Sequence, residues 1–231
     1  MPTIVFISPK GGAGKTTSSL VLATQLAKKT QVTVIDADPN HPIETWAKGG
    51  HKPENMTVIS DADEESIADC IDEAAMKTPF VIVDLEGTAS KIVVMAVTRA
   101  DFVIVPTQGS ELDAEQAGKA LNVIRQHEKG MRRANPEYSL PYKVLLTRTN
   151  AAIRARTLSH IQKSMLDAGI PLFNAEMNER EAFRAMFSFR KPLEALDKAS
   201  VPNIAKAIIN AEEFAREVID ELKAIKGVNH G

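Results

Sequence analysis

Ile7 to Leu20 reads ISPKGGAGKTTSSL, a run of small residues with a lysine near each end of its glycines, Lys10 and Lys15. On its N-terminal side, Thr3–Ser8 (TIVFIS) is short, apolar and β-branched, which reads as a buried strand. On its C-terminal side, Thr16 to Lys29 carries Leu20, Leu22, Ala23, Leu26 and Ala27 at helical spacing. Strand, glycine loop, helix is the context in which backbone N–H groups can turn inward around a phosphate. That close approach needs residues without bulky side chains, here Gly11, Gly12, Ala13 and Gly14. The following helix points the positive end of its dipole at the same anion. Lys15 can reach the β- and γ-phosphates, and the Thr16 hydroxyl, followed by Thr17, can ligate Mg²⁺. The fit to G-x-x-x-x-G-K-[ST] is loose, because the first glycine is displaced to Gly11.

Outward from this loop the chain alternates in type. Strands are expected at Val32–Asp36, weakly at Met56–Ser60, then at Phe80–Asp84, Asp101–Pro106, Tyr142–Thr147 and, briefly, Ile170–Asn174. Helices are expected at Pro42–Ala47, Glu64–Met76, Leu112–Glu128, Arg154–Ala168, Glu179–Ser188 and Asn203–Ile225, with a helical or irregular stretch from Thr88 to Thr98. Gly130–Pro141 is the longest loop candidate. Alternation of this kind implies an α/β fold: right-handed crossovers and a mostly parallel twisted sheet with helices on both faces. With no repeat and no obvious linker, residues 1–231 are expected to form a single domain.

Composition narrows the function. A net charge of −2 argues against a strongly basic nucleic-acid coat, though not against a local basic patch. One cysteine, Cys70, cannot form an internal disulfide or supply a cysteine-rich metal site, and suits a reducing cytoplasm. No apolar run approaches the ~20 residues that span a bilayer. The five histidines show no metal-ligand spacing.

The segment KGGAGKTT resembles the deviant Walker A motif of the ParA/MinD superfamily of P-loop ATPases. The resemblance implies that Lys15 serves its own nucleotide while Lys10, the signature lysine, contacts nucleotide bound to the partner subunit of an ATP-closed homodimer, charge supplied in trans as by an arginine finger. VIDADPN (Val34–Asn40) is similar to the superfamily's Walker A′ segment. Asp38 matches the residue that orients or activates the attacking water. Asp36 is assigned either to the Mg²⁺ shell and loop or to capping of the next helix. FVIVDLEG looks like Walker B, so Asp84 is expected to hold Mg²⁺ through water. Its ending departs from the common D-x-P-P. Glu86 therefore either tunes water and metal or faces solvent. DFVIVPTQG resembles the segment after Walker B and implies Pro106 and Thr107 beside the nucleotide. LLTRTN resembles the strand end near the base, with Arg148 and Asn150 as candidates.

The resemblance covers nearly the whole chain. It is strongest to small partition ATPases, which lack an N-terminal helix-turn-helix, and to a related virulence ATPase that assists T-DNA transfer. It implies a slow ATPase using ATP and Mg²⁺, cytoplasmic and nucleoid-associated in the ATP state. Such a protein binds DNA nonspecifically as an ATP dimer, is stimulated by a centromere-binding adaptor protein, and segregates a plasmid or chromosome. Candidate DNA contacts are Arg154, Arg156, Arg180, Arg184, Arg190 and Lys191, which read equally as a solvated basic face. Arg180 and Arg184 fall at i,i+4 spacing, and phosphate contacts would make binding salt-sensitive. Alternatives are a conjugation or relaxosome scaffold that binds nucleotide without hydrolysis, favoured by Glu86, and a MinD-like membrane-positioning ATPase. The latter is opposed by an acid-rich C-terminal helix, where amphipathicity more often means docking on the core. A nitrogenase-reductase-like electron carrier fails for lack of paired cysteines. A metal-pump or protein-targeting ATPase fails for lack of a large helical insert.

Overall fold

The computed structural model describes residues 1–9, 11–87, 90–150 and 156–228. Seven parallel strands form its sheet: β1 Thr3–Phe6, β2 Val32–Ala37, β3 Met56–Ile59, β4 Phe80–Leu85, β5 Phe102–Thr107, β6 Tyr142–Thr149 and β7 Met177–Asn178. Their spatial order is β3-β2-β4-β1-β5-β6-β7. β1 is therefore central, with Phe6 in register with Asp84 on one side and Ile104 on the other. Asp36 and Asp84 are likewise opposite one another on β2 and β4.

The helices are α1 Lys15–Ala27, α2 Pro42–Ala47, α3 Ile67–Lys77, α4 Lys91–Val97, α5 Glu111–Met131, α6 Arg156–Asp167, α7 Glu181–Phe189 and α8 Ile204–Val228. They cover both sheet faces, and the strands alternate between two cores as their two-residue period requires. Ile4, Phe6, Val32 and Val34 join one core with α1, α2, α7 and α8. Val5, Ile7, Ile35 and Ala37 join the other with α3, α4, α5 and α6. Strands buried on both faces read as continuous apolar runs, which is why TIVFIS, FVIVD and DFVIVP were legible.

Two boundaries moved for local reasons. The helix expected from Glu64 begins at Ile67, because Asp63 Oδ1 accepts hydrogen bonds from the Glu65 and Ser66 N–H groups and holds 64–66 as a turn. The strand expected at Ile170–Asn174 is reduced to one bridge, Val144 to Leu172. The N–H groups of Asn174 and Ala175 donate to the Glu217 carboxylate of α8 instead of to the sheet. Pairing with β6 resumes only at β7.

Candidate functional site

The carboxyl ends of the central strands converge on the glycine loop, the edge where open parallel sheets bind ligands. Gly12 and Gly14 have φ of 77° and 88°, a region open to glycine and strained for other residues. At Gly14 a Cβ would also lie 3.2 Å from Thr147. Thr147 fixes the loop from below: its hydroxyl donates to the Ala13 carbonyl at 2.7 Å, with the Thr107 carbonyl at 3.2 Å. Gln108 Nε2 donates to the Gly12 carbonyl at 2.9 Å. Neither Thr147 nor Gln108 carries a local sequence signal, since each acts on a segment distant in the chain.

Above the loop lies a cavity of about 380 Å³ lined by Gly11–Thr17, Asp38, Asn40, Glu86, Gly87 and Arg148. Lys15 is 9% exposed, with Nζ 3.5 Å from Asp84 Oδ1. Asp84 is fully buried. Burial pushes its carboxyl up, against the opposing pull of Lys15 and a hydrogen bond with Thr16. Asp36 is also fully buried, and burial raises it to about 6, opposed by backbone N–H donors and reinforced by Asp84. Its Oδ2 accepts from the N–H groups of Ile43 and Glu44 at 2.8 and 2.9 Å, so this carboxylate caps α2. The other oxygens, Asp36 Oδ1 and Asp84 Oδ2, are buried without a hydrogen-bond partner among the described residues. Unpartnered buried carboxylate oxygens are costly, and they suit a site completed by a cation and its water. Asp38 is half-buried, its Oδ1 accepting from the Asn40 backbone and side chain. Glu86 is exposed on the cavity wall.

Beside the loop lies a second cavity of about 310 Å³, lined by Gly14, Thr17, Ser18, Thr147, Arg148, and Met177–Arg180, Phe183, Arg184 and Phe187. Arg148, at φ 53°, lines both cavities. The apolar wall from Met177, Phe183 and Phe187 is chemistry suited to a base, and sequence reading missed it because α7 is distant in sequence from the loop. Pro106, Thr107 and Asn150 line neither cavity; Pro106 and Thr107 lie within β5.

The basic candidates fall in different places. Lys10 and Arg154 lie outside the described residues. Arg180 and Arg184 line the second cavity, and Arg184 is paired with Glu179 and Glu181. Arg156, exposed at the start of α6, lines a separate cavity with His160. Arg190 follows α7 in the left-handed region, against Gly49, and the Lys191 carbonyl accepts from the Trp46 indole. No helix among the described residues is long and apolar enough to cross a membrane.

Comparison with known proteins bears on the family and the fold. The family described as VirC1 protein matches residues 1–228. The chain is 38% identical over 223 residues to Protein ParA of Rhizobium radiobacter, covering 96% of this chain and 98% of that one. Among solved structures it is similar to apo McdA of Cyanothece, with a TM-score of 0.71 at 17% identity over 93% of this chain and 99% of that one. It is also similar to the septum site-determining protein MinD of Pyrococcus horikoshii complexed with Mg-ADP. There the TM-score is 0.67 at 18% identity, covering 97% and 98% of the two chains.

Proposed function

The chain belongs to the VirC1 family and is a ParA-type P-loop ATPase; from that premise we propose that it is a dimerising switch that partitions plasmid or chromosomal DNA. The observation that carries the reading is the grouping of Lys15, Asp38 and Glu86 around the glycine cradle in one cavity, with Asp84 buried behind Lys15. In this reading ATP is the substrate. Its triphosphate lies along Gly11–Thr17 and its base lies against Met177, Phe183 and Phe187. Lys15 exchanges Asp84 for phosphate oxygens, which leaves Asp84 free for the metal shell.

The residues present fit Mg²⁺: the Thr16 hydroxyl and Asp84 would hold it, with Asp36 Oδ1 behind them. Mg²⁺, when bound, supplies charge neutralisation to the phosphates. Asp38 orients the attacking water in line with the terminal phosphate, and preorganised charge rather than covalent chemistry lowers the barrier. Lys10 is assigned to the nucleotide of the other copy, so ATP stabilises the dimer through contacts that hydrolysis removes. Turnover is slow, the ATP dimer binds DNA without sequence preference, and a centromere-binding adaptor protein stimulates hydrolysis. The ATP state is accordingly nucleoid-associated.

The DNA arm uses phosphate contacts, with Arg156, Arg190 and Lys191 favoured over Arg180 and Arg184. The latter two are committed to the nucleotide cavity, and Arg184 to carboxylates. The deciding experiment measures DNA binding with ATP, ADP and no nucleotide across a salt series. Binding with ATP alone, weakening steeply with salt, is expected. Equal binding in ADP overturns the partition reading.

A further inference from the structure

Asn210 of α8 is buried, 5% exposed, in the middle of a helix whose neighbouring inward positions are Ala207, Ala211 and Phe214. A carboxamide in such a position must satisfy both ends. It does so on β7: Oδ1 accepts from the Asn178 N–H at 3.0 Å, and Nδ2 donates to the Glu176 carbonyl at 2.7 Å. In an extended chain those two groups point the same way, away from β6. The opposite side of the segment is occupied by β6, where the Glu179 N–H donates to the Thr149 carbonyl at 2.9 Å. One side chain thus takes the place that a peptide group of a next strand would occupy. Seven residues on, Glu217 receives the N–H groups of Asn174 and Ala175. The segment that follows directly, Met177–Arg180, is one wall of the cavity beside the glycine loop.

We propose that Asn210 is a positioning residue for nucleoside recognition: through β7 it sets where Met177–Arg180 stand relative to the glycine loop. The inference rests on the reading of that cavity as the nucleoside site. Asn210 touches no ligand itself. Its removal frees the wall of the base pocket while Lys15 and the cradle, held by Thr147 and Gln108, stay in place.

The test compares two ligands, Mg-ATP and Mg-tripolyphosphate, on wild type, Asn210→Ala and Asn210→Asp. Asn210→Asp keeps the side-chain volume and the acceptor for the Asn178 N–H but sets an oxygen against the Glu176 carbonyl, so the comparison is read on whichever of the two variants keeps the wild-type circular dichroism. If ATP must order the freed wall at a cost equal to the one or two lost hydrogen bonds, its binding weakens about tenfold to hundredfold. Tripolyphosphate affinity is expected to stay at the wild-type value, and KM for ATP to rise with kcat nearly unchanged. Equal weakening of both ligands, or unchanged ATP binding in the folded variants, overturns the assignment. Wild type binding tripolyphosphate no worse than ATP would instead remove the nucleoside reading of the cavity, and this inference with it.

Discussion

Lys15 is a buried cation whose only close anion among the described residues is a carboxylate that burial makes reluctant to ionise. That balance lets the lysine change partners, since phosphate offers more charge than Asp84 does. Lys15→Ala is expected to weaken ATP binding at least about a hundredfold, in the range of lost buried charge pairs, read by calorimetric titration with Mg²⁺. The chain should remain folded, because Asp84 can take up a proton in place of its lost partner. Asp38→Ala is expected to bind ATP at near wild-type affinity. Phosphate release should fall about a hundredfold or more and dimers should accumulate in sedimentation. Wild-type phosphate release by that variant would end the assignment of Asp38.

At the scale of elements, the glycine loop and α1 hold their shape through bonds from strand ends. Thr147→Val keeps shape but removes the donor to the Ala13 carbonyl. A destabilisation of about 1–3 kcal/mol follows from an orphaned buried acceptor, measurable by urea unfolding, together with weaker ATP binding. A second tether joins α1 to the short turn at Leu193–Ala195 through Glu194. Burial pushes the Glu194 carboxyl up, but hydrogen bonds from Lys28 and Gln25 outweigh it and hold it below 4.5. A depressed acid contributes stability above its unfolded value and loses it as pH falls through the folded one. Glu194→Gln should therefore melt below wild type at neutral pH, and the gap should close as pH falls below 4.5.

These elements differ in how visible they were. The glycine loop, the strand ends with Asp36, Asp38 and Asp84, and the doubly buried strands carry their chemistry in contiguous residues, so sequence reading found them. Thr147, Gln108 and Asn210 matter through partners from about thirty to over one hundred and thirty positions away, and Phe183 through a wall that faces the distant glycine loop. No local period encodes that. The strand expected at Ile170–Asn174 stopped short for the same reason, since after the Phe173 N–H pairs with Val144 a carboxylate on α8 claims the N–H groups of Asn174 and Ala175.

At the scale of the molecule, the core on the α1 and α8 side is knit by aromatic edges. Phe173 meets Phe102 at 6.0 Å and Phe214 at 5.5 Å between ring centroids. Phe214→Ala is expected to cost about 3–5 kcal/mol. In hydrogen exchange, protection should fall first in β6, β7 and α8, where this ring sits, and last in β1 and β4. Uniform loss of protection would show instead that both cores open together.

Closure of β7 by a helix side chain also bears on how the chain tolerates its own company. A flank that offers unpaired peptide groups invites another molecule to zip on, and from there to grow without limit. Here Asn210 already answers the Asn178 N–H and the Glu176 carbonyl, which leaves little for an incoming ribbon to grasp at that end. A second copy is thereby steered away from fibrous stacking at that end of the sheet.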